Sequence, residues 1–195
     1  IAGLTLGGGW GWLAGMHGLA CDNLLSVDIV TADGKVVTAN AEKNRDLFWG
    51  LRGGGGNFGV ATSFEYTVHP VREVLGGTLF HPLVSAREAL IFYDEFTRSS
   101  PDELVSLAWF LTMDDQPVVG LTVCYFGGIQ EGERLLQPLR EFGSPISDKI
   151  GRTTYVEFQQ AVDLIFAEGH QNYWKSNFIK DLDADAIDMI LDFVS

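Results

Sequence analysis

The apolar positions of this chain change period several times. Over residues 24–31 they alternate with polar ones, the two-residue period of a half-buried strand, and they alternate again over 35–39. Ala32-Asp33-Gly34 between them is turn chemistry, so the two runs form a hairpin. Residues 44–51 take a helical period through Leu47, Phe48, Trp49 and Leu51, with Asn44 as N-cap and Asp46 in the first turn. Residues 60–68 return to period two: Val60, Thr62, Phe64, Tyr66 and Val68 alternate with Ala61, Ser63, Glu65 and Thr67 until Pro70 stops the run. Ahead of the hairpin, Gly3, Gly7, Gly8, Gly9, Gly11, Gly15 and Gly18 interrupt every long element, and only a short helix around residues 12–16 is expected.

The second half differs in kind. Ser85 is expected to cap a helix running to Phe96, with Ala89, Leu90, Phe92, Tyr93 and Phe96 on or near one face. Residues 104–113 and 118–126 read as strands joined by a turn over Asp114-Asp115-Gln116-Pro117, and a helix then ends at Gly143. A helix over 154–166, a strand over 173–179 and a helix from Asp183 with Ile187, Ile190, Leu191 and Val194 as its stripe complete the pattern. Strand pairs interleaved with helices predict an α+β fold, an antiparallel sheet covered on one face. There is no internal repeat.

Composition narrows the classes. With 195 residues, 46% hydrophobic and 20% charged, the chain can bury one substantial core or two small ones. Its apolar runs are too short for a membrane span. Its net charge of −13 argues against a nucleic-acid partner. That charge is unevenly shared: residues 1–71 carry six acids and four bases, residues 72–195 twenty acids and nine bases. Glycine runs the other way, with 14 of 23 in the first 71 residues, which sets a domain boundary near His69-Pro70-Val71. Cys21 and Cys124 lie far apart without metal-ligand spacing, so two buried thiols in a reducing cytoplasm are expected. The start at Ile1, with no basic region after it, reads as a cut piece rather than a signal peptide.

Candidate chemistry concentrates in the glycines. Gly54, Gly56 and Gly59 match G-x-G-x-x-G, but the dinucleotide fingerprint needs a strand before and a helix after. Here a helix precedes and a strand follows, which argues against that site. His17, His69, His81 and His170 lack partner spacing for a metal or a triad and read as surface or structural. Asp181, Asp183 and Asp185 lack the glycine and terminal Glu of a calcium loop and read as a solvated helix start, so no metal site is expected.

Two runs, "GLTLGGGWGWLAGMHGLACDNLLSVDIVTADGKVV" and "DLFWGLRGGGGNFGVATSFEYTVHPV", together resemble the berberine bridge enzyme-like FAD-linked oxidases of the vanillyl-alcohol oxidase and p-cresol methylhydroxylase group. The resemblance rests on Gly-Gly-Gly-x-Gly, Gly-Leu-x-x-Asp-Asn, the Ala-Asp-Gly hairpin and Leu-Arg-Gly-Gly-Gly-Gly-Asn-Phe-Gly-Val. It implies that residues 1–71 are the C-terminal part of a PCMH-type FAD-binding domain and residues 72–195 part of an α+β substrate domain.

By the same resemblance the cofactor is FAD, lined by Leu4, Gly8, Gly9, Gly11, Gly55, Gly59 and Val60. A side chain at the glycines would collide with a neighbouring strand or with the flavin, Leu4 sits beside the ring, and Gly59 with Val60 approaches the adenine end. Asp22 and Asn23 hold the turn before the strand. Trp10 and Trp12 fill core, Trp10 within a flavin-facing loop, and Cys21 is a structural thiol. Trp109, Tyr125, Tyr155, Tyr173 and Trp174 belong to the half whose sheet forms the substrate wall. The flavin-anchoring His and the substrate-side base lie in family segments before Ile1 and after Ser195, so no catalytic residue is assigned. The implied reaction takes a hydride from a C–H bond next to an alcohol or amine of a small organic molecule, with dioxygen reoxidising the flavin. A dehydrogenase using another acceptor and a non-catalytic binding domain are the alternatives.

Overall fold

The structure, a computed structural model, describes residues 1–71, 73–163, 169, 171, 173 and 175–194. The chain divides into two compact units, Ile1–Pro70 and Val71–Ser195.

In the first unit, helices α1 (Ala2–Leu6) and α2 (Ala14–His17) precede a 3-10 turn, Ala20–Asn23. Strands β1 (Leu24–Val30) and β2 (Val36–Asn40) follow, then α3 (Arg45–Leu51), a second 3-10 turn over Gly55–Phe58, and β3 (Val60–Tyr66). The hairpin forms as its alternation predicts, closed by Thr31 N–H on the Lys35 carbonyl and Gly34 N–H on the Thr31 carbonyl, each 2.9 Å. The sheet runs β2-β1-β3, all antiparallel, and buries Val27, Ile29 and Ala39 against Phe48 and Leu51 of α3.

Three local expectations are corrected here. α1 survives the glycine density because it is a single turn whose Thr5, wholly buried, bonds the Ile1 carbonyl and, at 2.8 Å, the Tyr66 hydroxyl. Asn44 precedes α3 but does not cap it; its backbone is left-handed at φ 51° and its amide donates to the Thr38 carbonyl at 2.7 Å. The simple alternation of β3 is broken: Asp28 pairs with Ser63 and Ile29 with Ala61, which leaves Thr62 as an extra residue. That bulge moves the inward set to Ala61, Phe64 and Tyr66 and leaves Val60 69% exposed.

The second unit is built on β4 (Glu73–Pro82), the central strand of a sheet ordered β5-β6-β4-β7, with β8 also paired to β4. Its other elements are α4 (Ala86–Arg98), β5 (Leu104–Met113), β6 (Gln116–Tyr125), α5 (Ile129–Glu141), β7 (Ser147–Asp148), β8 (Gly151–Thr154), α6 (Tyr155–Gln160) and α7 (Ala184–Val194). Leu75, Leu79, Leu121 and Val123 from the sheet pack with Leu136 and Leu139 of α5, all essentially without solvent contact.

Differences from expectation are again local. Ser85 makes no cap bond to α4 and instead donates to the Pro82 carbonyl. The β5–β6 turn contains only Asp114 and Asp115, both left-handed at φ 49° and 61°, with Met113 paired to Gln116; this is the primed two-residue hairpin turn, so Gln116 and Pro117 are strand. β4, β7 and β8 have no counterpart in the sequence reading. The helix expected over 154–166 is helical over Tyr155–Gln160, and its end at 164–166 lies outside the described residues. Of the strand expected over 173–179, the described residues are irregular. Asp183 does begin a helix: its carboxylate accepts the Ala186 N–H at 2.9 Å. No helix among the described residues is long and apolar enough to cross a membrane.

Candidate functional site

The glycines of the first unit fall into two physical kinds. Gly8 and Gly9 form a tight reversal with φ of 105° and 86°, a region open to glycine alone at little cost. Their carbonyls accept the N–H groups of Cys21 and Ala20 at 2.9 and 2.7 Å, which folds residues 19–23 back alongside the turn. A Cβ on Gly9 would lie 2.7 Å from Ala20 Cβ and 3.2 Å from Leu4 Cγ, so Leu4, Gly8 and Gly9 sit together. Gly59, at φ 138°, is packed differently: a Cβ there would run into the Val30 carbonyl where β3 meets β1. The bareness of Gly9 and Gly59 is demanded by the chain itself.

The second kind faces open space. A Cβ on Gly11, Gly53, Gly55 or Gly56 would meet no atom within 4 Å. Gly53 and Gly55 still need glycine for their φ of 124° and 69°, but Gly11 and Gly56 need it for neither reason. The two glycine segments are tied by the Gly53 N–H, which donates to the Leu6 carbonyl at 3.1 Å. Leu4 is 55% exposed beside this region, as is half of Trp10, while Trp12 is buried with its ring 5.6 Å from that of Trp10.

Thus Leu4, Gly8 and Gly9 are one cluster; Gly59 and Val60 are at the β1–β3 edge; Gly11 and Gly55 present open backbone. These open positions leave room for a group lying against main chain, room that a Cβ would begin to fill. The sequence reading missed two long-range braces of this unit: Thr5 on Tyr66, and Asn23 on His69. Only the nearness of Asn23 to the glycine turn signalled the second.

The thiols are quiet. Burial, then the Asp22 carboxylate, holds Cys21 above the usual thiol value against an opposing pull from Arg52, and burial pushes Cys124 up to about 12. Neither is a thiolate near neutrality. Both are free and buried, as expected. His81, read as surface or structural, is 1% exposed on β4; burial lowers its pKa, and its Nε2 has no hydrogen-bond partner.

In the second unit the aromatics separate by strand register. Tyr125 pairs with Leu104 and is core, 3% exposed. Trp109 lies on the opposite face, since its neighbours Ala108 and Phe110 pack into the helix-side core. Its indole N–H donates to Thr122 Oγ1 at 3.0 Å, and that hydroxyl bonds Thr78 Oγ1 at 2.7 Å. Two hydroxyl protons serve one hydroxyl–hydroxyl bond, so the pair retains a donor for a further acceptor. Tyr155 opens α6 against Phe126; Tyr173 is 88% exposed, and Trp174 and His170 lie outside the described residues.

A family model described as an FAD binding domain matches residues 1–40, the segment holding the Gly8–Gly9 reversal and Gly11. An FAD-linked oxidoreductase of Dictyostelium discoideum is 35% identical over 193 residues, which are 98% of this chain and 42% of that protein. The (R)-6-hydroxynicotine oxidase of Paenarthrobacter nicotinovorans is 33% identical, covering 89% of this chain and 39% of its own length. Among solved structures, the carbohydrate oxidase from Microdochium nivale superposes with a TM-score of 0.79 at 27% identity, over 99% of this chain and 43% of that one. The chain therefore spans about two fifths of the length of the curated relatives it matches.

Proposed function

This chain is related, in sequence and in fold, to the FAD-linked oxidoreductases of the berberine bridge enzyme and vanillyl-alcohol oxidase type, and from that premise we propose that it carries part of an FAD cradle and part of a substrate wall. The parent activity is oxidation of a small organic molecule at a C–H bond beside an alcohol or amine, chemistries represented by the carbohydrate and the 6-hydroxynicotine in the names of two relatives. The observation that carries the reading is the coincidence of the FAD-binding match over residues 1–40 with a turn whose Gly11 has no need, within the chain, to be glycine.

Bound FAD would supply the hydride acceptor, with dioxygen as the proposed final oxidant. The chain's part is binding and orientation. Gly8 and Gly9 reverse the backbone so that main-chain groups, not side chains, line the cofactor. Gly11, Gly55, Gly59 and Val60 extend that lining, and Leu4 offers an apolar contact to the ring. In the second unit Trp109 gives a flat face to a ring-shaped substrate, and the Thr78–Thr122 pair donates its remaining proton to a substrate oxygen. Units 1–71 and 72–195 accordingly take the roles of flavin-binding and substrate-binding domains.

A visible absorption spectrum of the protein expressed from its complete gene tests this. Oxidised-flavin bands, bleached anaerobically by a sugar or amine substrate and restored with peroxide release on admitting air, are expected. Recovery with an artificial acceptor but not with air would make it a dehydrogenase. A colourless protein that takes up no added FAD would sink the reading.

A further inference from the structure

His69 is distant in sequence from His17 and Asn23 and adjacent to both in the first unit. The His69 imidazole stacks on that of His17 with centroids 3.6 Å apart and planes 4° from parallel. Asn23 donates through Nδ2 to two carbonyls, of His17 at 2.8 Å and Leu19 at 3.0 Å. Two acceptors facing that nitrogen set the orientation of the amide and leave Oδ1 to accept. The atom that meets Oδ1 is His69 Nε2, at 2.7 Å, so Nε2 carries a proton and the tautomer follows from the network. The backbone joins in, since the Asn23 carbonyl accepts the Thr67 N–H at 2.8 Å.

What these side chains hold is the return leg of the glycine reversal. Ala20 and Cys21 donate their N–H groups to Gly9 and Gly8, so any shift of residues 19–23 moves the Gly8–Gly9 backbone with it. Asn23 alone would close the local turn through its two carbonyl bonds. His69 adds what a local turn does not need: a brace from that leg to the segment after β3, with His17 stacked behind it.

We propose that His69, acting through Asn23 and His17, is a positioning residue for the FAD cradle. It holds residues 19–23 in the register that lets Gly8 and Gly9 present bare backbone to the cofactor. The inference rests on the FAD reading above.

The test measures FAD affinity by flavin fluorescence, and the shape of the bound flavin's visible bands, on protein from the complete gene stripped of cofactor. His69→Ala should weaken FAD about tenfold, the loss expected when the half-buried Asn23 amide oxygen is left without its donor, and broaden the bands. His69→Gln returns an N–H to Asn23 and should recover to within about threefold of wild type. Val27→Ala, in the sheet core of the same unit, lowers stability without touching the brace and should leave affinity and bands unchanged. His17→Ala keeps the Asn23 bond, serves if His69→Ala does not fold, and should weaken FAD by about threefold. Affinity unchanged in the His69→Ala protein, or unchanged in His17→Ala where that variant stands in, overturns the inference. So does an equal loss in Val27→Ala, which would reduce the brace to general stability. A wild type that binds no FAD overturns the parent reading and this inference with it.

Discussion

The two units use buried backbone differently. In the second, a five-stranded sheet is covered by α4 and α5, with α7 packed on α4, and its central residues Leu75, Leu79 and Leu121 are wholly buried. In the first, three strands are covered by one short helix, and Leu4, Trp10, Trp49 and Val60 are each more than half exposed. With its smaller buried core, the first unit leans also on polar braces and on glycines in conformations closed to other residues. The lesson is that steric surroundings separate the glycines: the packing of the chain requires Gly59, whereas nothing within the chain requires Gly11, which is free to serve the proposed ligand.

The largest effect that would break this division is at Gly59. Alanine there places a methyl against the Val30 carbonyl at a φ of 138° and should cost the first unit on the order of 4 kcal/mol, read as a fall in the urea midpoint. A stable Gly59→Ala would mean that β3 leaves β1 by another path. Next is Leu121→Ala in the second unit, a cavity in the covered core, expected to cost about 3 kcal/mol by the same measurement with the slope unchanged. A cost under about 1 kcal/mol would show a core that collapses to fill the gap, contrary to the contrast drawn between the units.

How far this was legible in sequence depends on whether a signal was local. The hairpin was, because alternation and Ala32-Asp33-Gly34 sit within one stretch. So were α3, β5, β6, α4, α5 and the acidic start of α7. β4 was not, although it is the central strand. Its run from Glu73 to Pro82 includes Gly76 and Gly77, which weaken a strand reading, and its paired residues in β6, β7 and β8 lie 36 to 81 positions later. The bulge at Thr62 was invisible for the same reason, since register is a property of the pair. Of the site, the glycine positions could be named from the motif, but not which of them are braced from within. That needed the places of Ala20 and Val30. The His17–Asn23–His69 brace joins residues up to 52 positions apart and carries no periodic signature.

A smaller effect sharpens the account of the second unit. His81 is buried without a partner for Nε2, and burial lowers its pKa below that of the unfolded chain. The unfolded state therefore binds the proton first. Stability is fully present above the ordinary imidazole value near ~6.5 and is lost as pH falls below it, by up to about 1.4 kcal/mol per pH unit. His81→Phe keeps a ring edge-on to Phe142 and should flatten that acid limb in thermal melts between pH 5 and 7.5. A limb that persists in the variant would assign the acid sensitivity to other groups.

The smallest effect on stability is the most informative. Gly11 has neither a positive φ nor a neighbour within 4 Å of a Cβ, so Gly11→Ala should leave the apo protein as stable as before or raise it by about 0.5 kcal/mol through the unfolded chain. If FAD lies on this stretch of backbone, the same methyl should weaken its binding while melting is untouched. The control is Gly34→Ala: the hairpin turn also has open space but sits at φ 77°, so there stability should fall and FAD affinity should hold. The opposite pattern, with Gly11→Ala silent in both measurements, would mean that this glycine faces only water. The division between glycines that serve the fold and glycines that serve a ligand would then fail at the position where it is cleanest.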